Sequence, residues 1–413
     1  MIAEPRQERR RRWVALAGWG SFLLIGWIGL LVPSLIRSIE HDFGQSDAGL
    51  GLFYLVNAAA YGIGSLAGGL LTERFGRRLV LAGGLAIQAI ALVAQGVVLN
   101  WAVFLVAAVP RGLGSGAIDG GAQALFLEVF DDRPVRALNV LHVFFSIGSL
   151  VAPLALASAV DAGIRWPALF AASGLASTAL AAAFVLLPMP AGRRARGSPA
   201  PPRQGRGSNL PAWGRADGPA AARPRISRPL VAAALAIACY VAAEVGISSW
   251  LVGYLGSVQL STATLALSLF WAGLTLGRLL VAPVAERFDP VRLAAAASIL
   301  AGLAIAAALL APTVDAAIVL FGLAGLAFGP IYPTIIVIGA RIQPGRSAAV
   351  TGLLAGVAVA GAVAYPPLMG AISVASGLGA AMLGTAILSI VCAVLVVVAG
   401  ARRTGRQVVG TAC

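Results

Sequence analysis

Twelve apolar stretches, each long enough to cross a lipid bilayer, are the feature that most constrains this chain. A membrane-spanning helix needs about 20 predominantly apolar residues, and the 413-residue sequence holds twelve such stretches. They cover residues 13–36, 50–71, 79–99, 102–128, 137–160, 166–187, 229–255, 262–284, 291–310, 316–339, 347–371 and 378–399. The sequence therefore predicts an all-α integral membrane protein with twelve transmembrane helices.

The composition excludes a soluble domain and gives no sign of enzyme chemistry. Apolar residues make up 59% of the chain and charged residues 11%, whereas a soluble domain has about 25% charged residues. The sequence contains no nucleotide-binding glycine loop, nucleophile motif or cluster of metal ligands. We therefore expect a protein that is not an enzyme and that needs no cofactor or metal.

Arginine is distributed unevenly along the chain. All 30 basic residues are Arg, and with the N-terminus inside, 26 of them fall in cytoplasmic segments and two, Arg37 and Arg165, in outer loops. Positive charge collects on the cytoplasmic side of membrane proteins. The sequence predicts a multi-pass protein of the plasma (cytoplasmic) membrane with both termini in the cytoplasm. The net charge of +14 is then explained by the topology of the chain in the lipid bilayer. We therefore expect no nucleic-acid partner.

A basic segment and an internal repeat divide the chain into two halves. Residues 189–228, rich in Pro, Gly, Ser and Arg, separate a six-helix bundle at 1–188 from another at 229–413. This linker is expected to be a solvated cytoplasmic spacer or a segment attracted to anionic lipid. At an offset of 213 positions, Glu73–Phe75 falls on Glu286–Phe288, and Pro153 falls on Pro366.

Parallel repeats of this kind place a binding site between the halves near the middle of the membrane. Rocking of one half against the other then exposes that site to each side in turn. The repeat therefore predicts transport of a small molecule by alternating access. The protein is expected to act as a monomer.

The segment GLLTERFGRR at residues 69–78 closely resembles the loop between helices 2 and 3 of the major facilitator superfamily, with Glu73 where Asp is usual. The resemblance implies the major facilitator fold of two six-helix pseudo-repeats. Charged residues in such a turn can pair and latch helix ends in one access state. The predicted gating or latch residues are Glu73, Arg74, Arg77, Arg78, Arg111, Arg278, Glu286 and Arg287.

A narrower resemblance, to the fucose permease group of sugar:proton symporters, runs through residues 112–123, 138–154, 239–255, 268–280 and 325–337. It implies proton-coupled uptake of a small sugar, a hexose or deoxyhexose. Asp119 occupies the position of that group's proton-carrying Glu. Two departures are that helix 1 lacks the group's additional carboxylate and that Gln123 stands where Asn is usual.

Ionisable groups inside membrane spans are costly and mark substrate or ion pathways. Five such residues are present: Arg111, Asp119, His142, Glu244 and Arg278. Asp119 and Glu244 are the predicted proton-coupling residues. Glu244 could equally be a hydrogen-bonding partner for substrate, or a structural clamp to Arg278 or to helix ends. His142 could bind substrate or gate, because histidine titrates near physiological pH, or could be structural.

A sugar site combines aromatic faces that stack on the ring with amides and other polar groups that bind hydroxyls. Tyr332 is the repeat mate of Asp119 at the offset of 213, so the two are expected to face each other across the cavity. The predicted substrate-binding residues are Trp27, Asn57, Tyr61, Gln88, Gln123, His142, Tyr240, Trp271, Tyr332 and Tyr365.

Two other functions fit the same sequence. An exporter of drugs or metabolites by proton antiport would use this architecture with a more apolar pocket. A membrane-embedded sensor or scaffold would use the basic linker as its interaction segment.

Overall fold

The structure is a computed structural model that describes residues 3–97, 100–130, 134–186, 226–281, 287–343 and 346–401. Twelve helical segments in this part of the chain are long and apolar enough to cross a membrane, which confirms the predicted number. The helices are α1 (Ala3–Gly29), α2 (Leu31–Phe43), α3 (Asp47–Phe75), α4 (Arg77–Val97), α5 (Trp101–Val129), α6 (Pro134–Asp161), α7 (Trp166–Leu186), α8 (Arg228–Tyr254), α9 (Leu260–Val281), α10 (Pro290–Leu309), α11 (Val314–Phe328), α12 (Ile331–Ile342), α13 (Ser347–Ser376) and α14 (Leu378–Gly400).

Two spans consist of paired helices. The first span is α1 followed by α2 and runs to Phe43, beyond the predicted end at residue 36. Backbone hydrogen bonding continues past the continuous apolar run, which ends at Ile36, until Gly44 adopts left-handed angles (φ 59°). Arg37, expected in a loop, is therefore part of a helix. The tenth span is α11 and α12, which are interrupted at Gly329 and Pro330.

Polar side chains define several helix starts. The Asn100 side chain accepts hydrogen bonds from the backbone N–H groups of Ala102 (2.9 Å) and Val103 (3.3 Å) at the start of α5. Asp289 accepts one from the N–H of Arg292 (3.0 Å) at the start of α10. These caps satisfy donors that have no partner within the helix. Gly76 (φ 84°) makes the tight turn that separates α3 from α4.

Close glycine contacts repeat in the two halves. In the N-terminal half α3 packs on α5, and in the C-terminal half α9 packs on α11. A Cβ at Gly64 would collide with the carbonyl oxygen of Leu113, and a Cβ at Gly277 with that of Leu326. Both pairs are related by the offset of 213. Small residues let membrane helices approach closely, so the sequence repeat is also a repeat of packing.

The halves α1–α7 and α8–α14 meet where α3 packs against α13, α6 against α9, and α2 against α8. The predicted linker lies outside the described residues except for 226–228. The boundaries 1–188, 189–228 and 229–413 therefore stay predictions. In the predicted orientation, the α2–α3 turn is on the outer side of the bundle and the α3–α4 turn is on the cytoplasmic side.

Replacement of Gly64 or Gly277 by Leu should destabilise the fold by about 1–3 kcal/mol, the usual cost of overpacking, because the new side chain meets backbone on the facing helix. Thermal unfolding of the detergent-purified protein measures this. Gly352→Leu is the matched control, since a Cβ there meets nothing within 4 Å. Unchanged midpoints in both core variants would contradict the repeated packing.

Candidate functional site

Asp119 on α5 is the centre of a polar group in the N-terminal half. Gln123, one helical turn later, donates a hydrogen bond from Nε2 to Asp119 Oδ1 (2.9 Å), and Ser65 on α3 donates from Oγ to Oδ2 (3.3 Å). The Tyr61 hydroxyl lies beside the same carboxylate. The close approach of α3 to α5 brings these side chains together, and the Asp119 side chain remains partly exposed.

Glu244 on α8 and Arg278 on α9 form the counterpart in the C-terminal half. Arg278 Nη2 lies 4.0 Å from Glu244 Oε1, and the two side chains are 36% and 13% exposed. Tyr240, one turn before Glu244, lies beside both charged groups, and Tyr332 on α12 faces them. The separation exceeds the 2.7–2.9 Å or so of a charge-assisted hydrogen bond, so the pair is loose.

His142 on α6 connects the two groups. Its ring is exposed, packs edge-on against Phe22 at 5.4 Å between centroids, and lies within electrostatic range of both Asp119 and Arg278. Tyr332 lies within electrostatic range of Asp119. We call this assembly the central polar cluster; its members are Tyr61, Ser65, Asp119, Gln123, His142, Tyr240, Glu244, Arg278 and Tyr332.

Other predicted substrate contacts have partners elsewhere in the protein. Gln88 is fully buried and hydrogen-bonded to Ser115 and Ser177. The indole N–H of Trp27 donates to Ser173 Oγ (3.0 Å), and the Tyr365 hydroxyl donates to the carbonyl oxygen of Ala381 (3.1 Å).

Two further candidates contain buried polar atoms that have no hydrogen-bond partner among the described residues. They are Asn57 Oδ1 and the indole nitrogen of Trp271. The Trp271 ring packs edge-on against Phe145 at 5.9 Å, so it joins α9 to α6 across the two halves.

Arg111 is not brought to the central polar cluster. It is 3% exposed, and its Nη2 donates to the carbonyl oxygen of Ile28 (2.8 Å). Its guanidinium carbon lies 5.3 Å from the ring centre of Phe53 and 6.0 Å from that of Phe170. These partners belong to α1, α3 and α7. The contacts therefore brace the N-terminal half from within, whereas the sequence suggests a latch.

The turn after α3 contains an ion pair that the sequence analysis missed. Arg77 pairs with Glu128 at the cytoplasmic end of α5. The available signal was an acid in the otherwise apolar segment Leu125–Phe130. Arg74 and Arg78 are exposed, and the Arg74 guanidinium carbon lies 5.3 Å from the ring centre of Phe75.

Other predicted latch residues are placed only in part. The Glu73 side chain and the whole of Glu286 lie outside the described part of the structure. Arg287 is exposed just before α10.

Arg37 on α2 binds the outer end of α8 and the turn that follows it, across the two halves. Its guanidinium donates to the carbonyl oxygens of Val252 (3.0 and 3.1 Å), Val258 (2.6 Å) and Leu255. Carbonyls at a helix C-terminus lack intrahelical partners and carry partial negative charge. A half-buried arginine is therefore well placed to cap this end.

Three further hydrogen bonds join the halves on the outer side. Tyr54 donates to the carbonyl oxygen of Ser249 (3.0 Å), and Ser268 donates to that of Leu150 (2.9 Å). Ser373 on α13 donates to the carboxylate of Asp47 at the start of α3. Together with Arg37, these contacts close the outer side of the bundle.

Comparison with known proteins identifies the fold. A bacterial homologue of the human lysosomal transporter Spinster, in an inward-facing and occupied conformation, superposes with a TM-score of 0.76 at 17% identity, over 96% of this chain and 98% of that chain. The same homologue's inward-facing, unoccupied structure gives a TM-score of 0.69 at 18% identity, over 95% and 96%.

Curated relatives match over shorter regions. Sodium-dependent glucose transporter 1A of Mus musculus is 21% identical over 136 residues, 33% of this chain and 32% of that protein. Sodium-dependent glucose transporter 1 of Xenopus laevis is 28% identical over 131 residues, 31% and 26%. The uncharacterized MFS-type transporter YfkL of Bacillus subtilis is 23% identical over 145 residues, 34% and 36%. Each match thus spans about a third of the relative or less.

The sequence model of the Major Facilitator Superfamily matches residues 14–262 and 257–410. These matches cover nearly the whole chain, and the twelve spans and the superposition over 96% of the chain agree with them. The chain belongs to the major facilitator superfamily of membrane transporters.

Proposed function

We propose that the protein takes up a small sugar, a hexose or deoxyhexose, together with protons through the central polar cluster. The observation that carries this proposal is the meeting of Asp119 and His142 from one half with Glu244 and Arg278 from the other. Ionisable groups of this kind in a membrane protein mark ion and substrate pathways. These residues lie between the two halves, where a transporter that works by alternating access binds its ligand.

Asp119 is the proposed proton carrier. Its carboxylate is held by Gln123 and Ser65 and lies near His142. Protonation would remove the negative charge that attracts a protonated His142, and would leave His142 opposite the positive charge of Arg278. Proton binding on one half would therefore change the electrostatic balance between the two halves.

The C-terminal part of the cluster supplies the proposed sugar contacts. Sugar hydroxyls both donate and accept hydrogen bonds, and the loose pair of Glu244 and Arg278 offers an acceptor and donors with 4.0 Å between them. The rings of Tyr240 and Tyr332, 6.3 Å apart between centroids, supply aromatic surface. The glucose transporters among the relatives support a sugar as the substrate class, and the resemblance to fucose permeases agrees.

The closed outer side supports an inward-facing state. For the site to reach the outside, the contacts of Arg37, Tyr54, Ser268 and Ser373 with the opposite half must break. We propose that Arg37 is the main outer latch, because it makes the largest number of these hydrogen bonds and carries a charge.

Export by proton antiport is the second candidate function. Aromatic rings lie where the halves meet, with Phe22 against His142 of the cluster and Phe145 of α6 against Trp271 of α9, and they would suit an apolar substrate. Ethidium efflux from cells, without sugar uptake by proteoliposomes, would favour export over the first proposal.

Asp119→Asn should abolish sugar accumulation driven by a pH gradient while leaving downhill sugar exchange in place, because the neutral amide cannot carry the proton. Radiolabelled glucose and fucose uptake into proteoliposomes, with either a pH or a sodium gradient imposed, measures this. Asp161→Asn is the matched control, since Asp161 is exposed at the outer end of α6. Accumulation driven by sodium alone, or normal pH-driven uptake by Asp119→Asn, would contradict proton coupling.

Tyr332→Phe should weaken sugar binding about 2–10-fold, the effect of losing one hydrogen bond worth about 0.5–1.5 kcal/mol. Titration of the purified variant with sugar, followed by its thermal midpoint, gives the affinity. Tyr254→Phe is the control, because Tyr254 packs on Phe321 near the outer end of α8. Equal weakening in both variants would argue against a direct contact by Tyr332.

Arg37→Gln should shift the population toward the outward-open state about 10–100-fold, because charged hydrogen bonds contribute about 1.5–3 kcal/mol. Distances between spin labels on the outer ends of α2 and α8 report the shift. Arg165→Gln is the matched control: Arg165 is also an outer arginine, but it is 71% exposed and lies 3.6 Å from Asp42 of its own half. Identical distance distributions in wild type and Arg37→Gln would show that Arg37 is no latch.

A further inference from the structure

An apolar groove of about 400 Å³ lies on the N-terminal half between α3 and α4, with α5 as its floor. Leu71 and Phe75 form one wall, Leu79, Gly83 and Ile87 the other, and Leu113 lies at the base. All of its lining residues are apolar or glycine. None of them belongs to the central polar cluster, so the groove is separate from the proposed transport site.

The groove exists because α3 and α4 each pack on α5 more extensively than on each other. Gly64 draws α3 onto the backbone of α5, while a Cβ at Gly83 on α4 would meet nothing within 4 Å. The protein therefore leaves this space unfilled. The α4 wall belongs to a membrane span, and the α3 wall continues the span that runs from Asp47 to Gly68. Leu79 is 61% exposed and Ile87 46%. Lipid hydrocarbon is thus the medium that the groove faces.

The cytoplasmic end of the groove carries positive charge. Phe75 and Leu79 form this end, and the guanidinium carbon of Arg74 lies 5.3 Å from the Phe75 ring centre. Arg78 is exposed one residue before Leu79. Arginine near the surface of the cytoplasmic leaflet attracts anionic lipid headgroups. An apolar channel that ends in exposed arginine matches a lipid that has both an acyl chain and a negative headgroup.

We propose that this groove binds an anionic phospholipid, with one acyl chain between α3 and α4 and the phosphate near Arg74 and Arg78. Arg77 is left out because its side chain is only 19% exposed. On its opposite side α3 packs against α13 of the other half, where Gly62 lies next to Val359. The bound chain would support a helix that takes part in the junction between the halves, and so would stabilise the fold.

Native mass spectrometry of the full-length protein, purified with phosphatidylglycerol or with phosphatidylcholine of the same chains, measures lipid retention. Thermal unfolding during titration with each lipid measures stabilisation. The wild type should retain phosphatidylglycerol and gain stability from it more than from phosphatidylcholine. Equal retention of the two lipids would overturn the role of the headgroup.

Gly83→Leu fills the groove and should lose bound phosphatidylglycerol, while its midpoint without added lipid stays near that of wild type. Gly352→Leu places the same side chain in open space on α13 and should retain lipid. Retention by Gly83→Leu equal to wild type would overturn the proposal. A dimer in the wild type that Gly83→Leu dissociates would assign the groove to a second copy of the chain, and would also overturn it.

Arg74→Gln tests the headgroup without altering the groove. Its preference for phosphatidylglycerol over phosphatidylcholine should fall about fivefold, the factor expected for one arginine near an anionic surface. Retention of phosphatidylcholine should not change. Arg165→Gln, which alters an arginine at the outer side, should leave the preference intact. An unchanged preference in Arg74→Gln would remove the arginine from the site.

Discussion

The cost of placing a charge in hydrocarbon is the constraint on which the rest of this structure depends. Lipid supplies no water to hydrogen-bond a buried polar group, so a charged side chain in a span must find a protein partner or an aqueous cavity. The charged side chains inside the spans are accommodated in two ways. Arg111 is held inside one half by a carbonyl oxygen and two aromatic rings. Asp119, His142, Glu244 and Arg278 instead gather where the two halves meet.

The architecture was accessible from the sequence because its causes are local. Twelve apolar segments give twelve spanning helices, and a constant offset relates the packing of Gly64 on Leu113 to that of Gly277 on Leu326. The sequence also singles out most members of the central polar cluster, since ionisable residues in apolar spans are rare and the repeat predicts Tyr332 opposite Asp119. In each case a short sequence pattern is enough for the prediction, and no knowledge of which helices are in contact is needed.

Residues whose environment depends on distant packing could not be placed in this way. Nothing near Gln88 or Trp27 in the sequence indicates that Ser115, Ser177 and Ser173 bind their polar atoms. Arg37 looked like a loop residue because the apolar run ends at Ile36, yet the helix continues for another two turns and carries it to α8. Residue type shows which hydrogen bonds a side chain can make. Tertiary packing decides whether those hydrogen bonds go to other residues of the protein or remain available to a substrate.

The outer closure has an asymmetry that bears on how freely the protein can vary. Arg37 binds main-chain carbonyl oxygens at residues 252, 255 and 258, and every amino acid provides that acceptor. Side-chain changes at the end of α8 and in the turn after it therefore leave the acceptors in place as long as the backbone keeps its course. The donor side of the contact is a single side chain, the guanidinium of Arg37. Substitutions can therefore accumulate around residues 252–258 without loss of this contact. On α2, by contrast, the contact is lost when Arg37 alone is replaced.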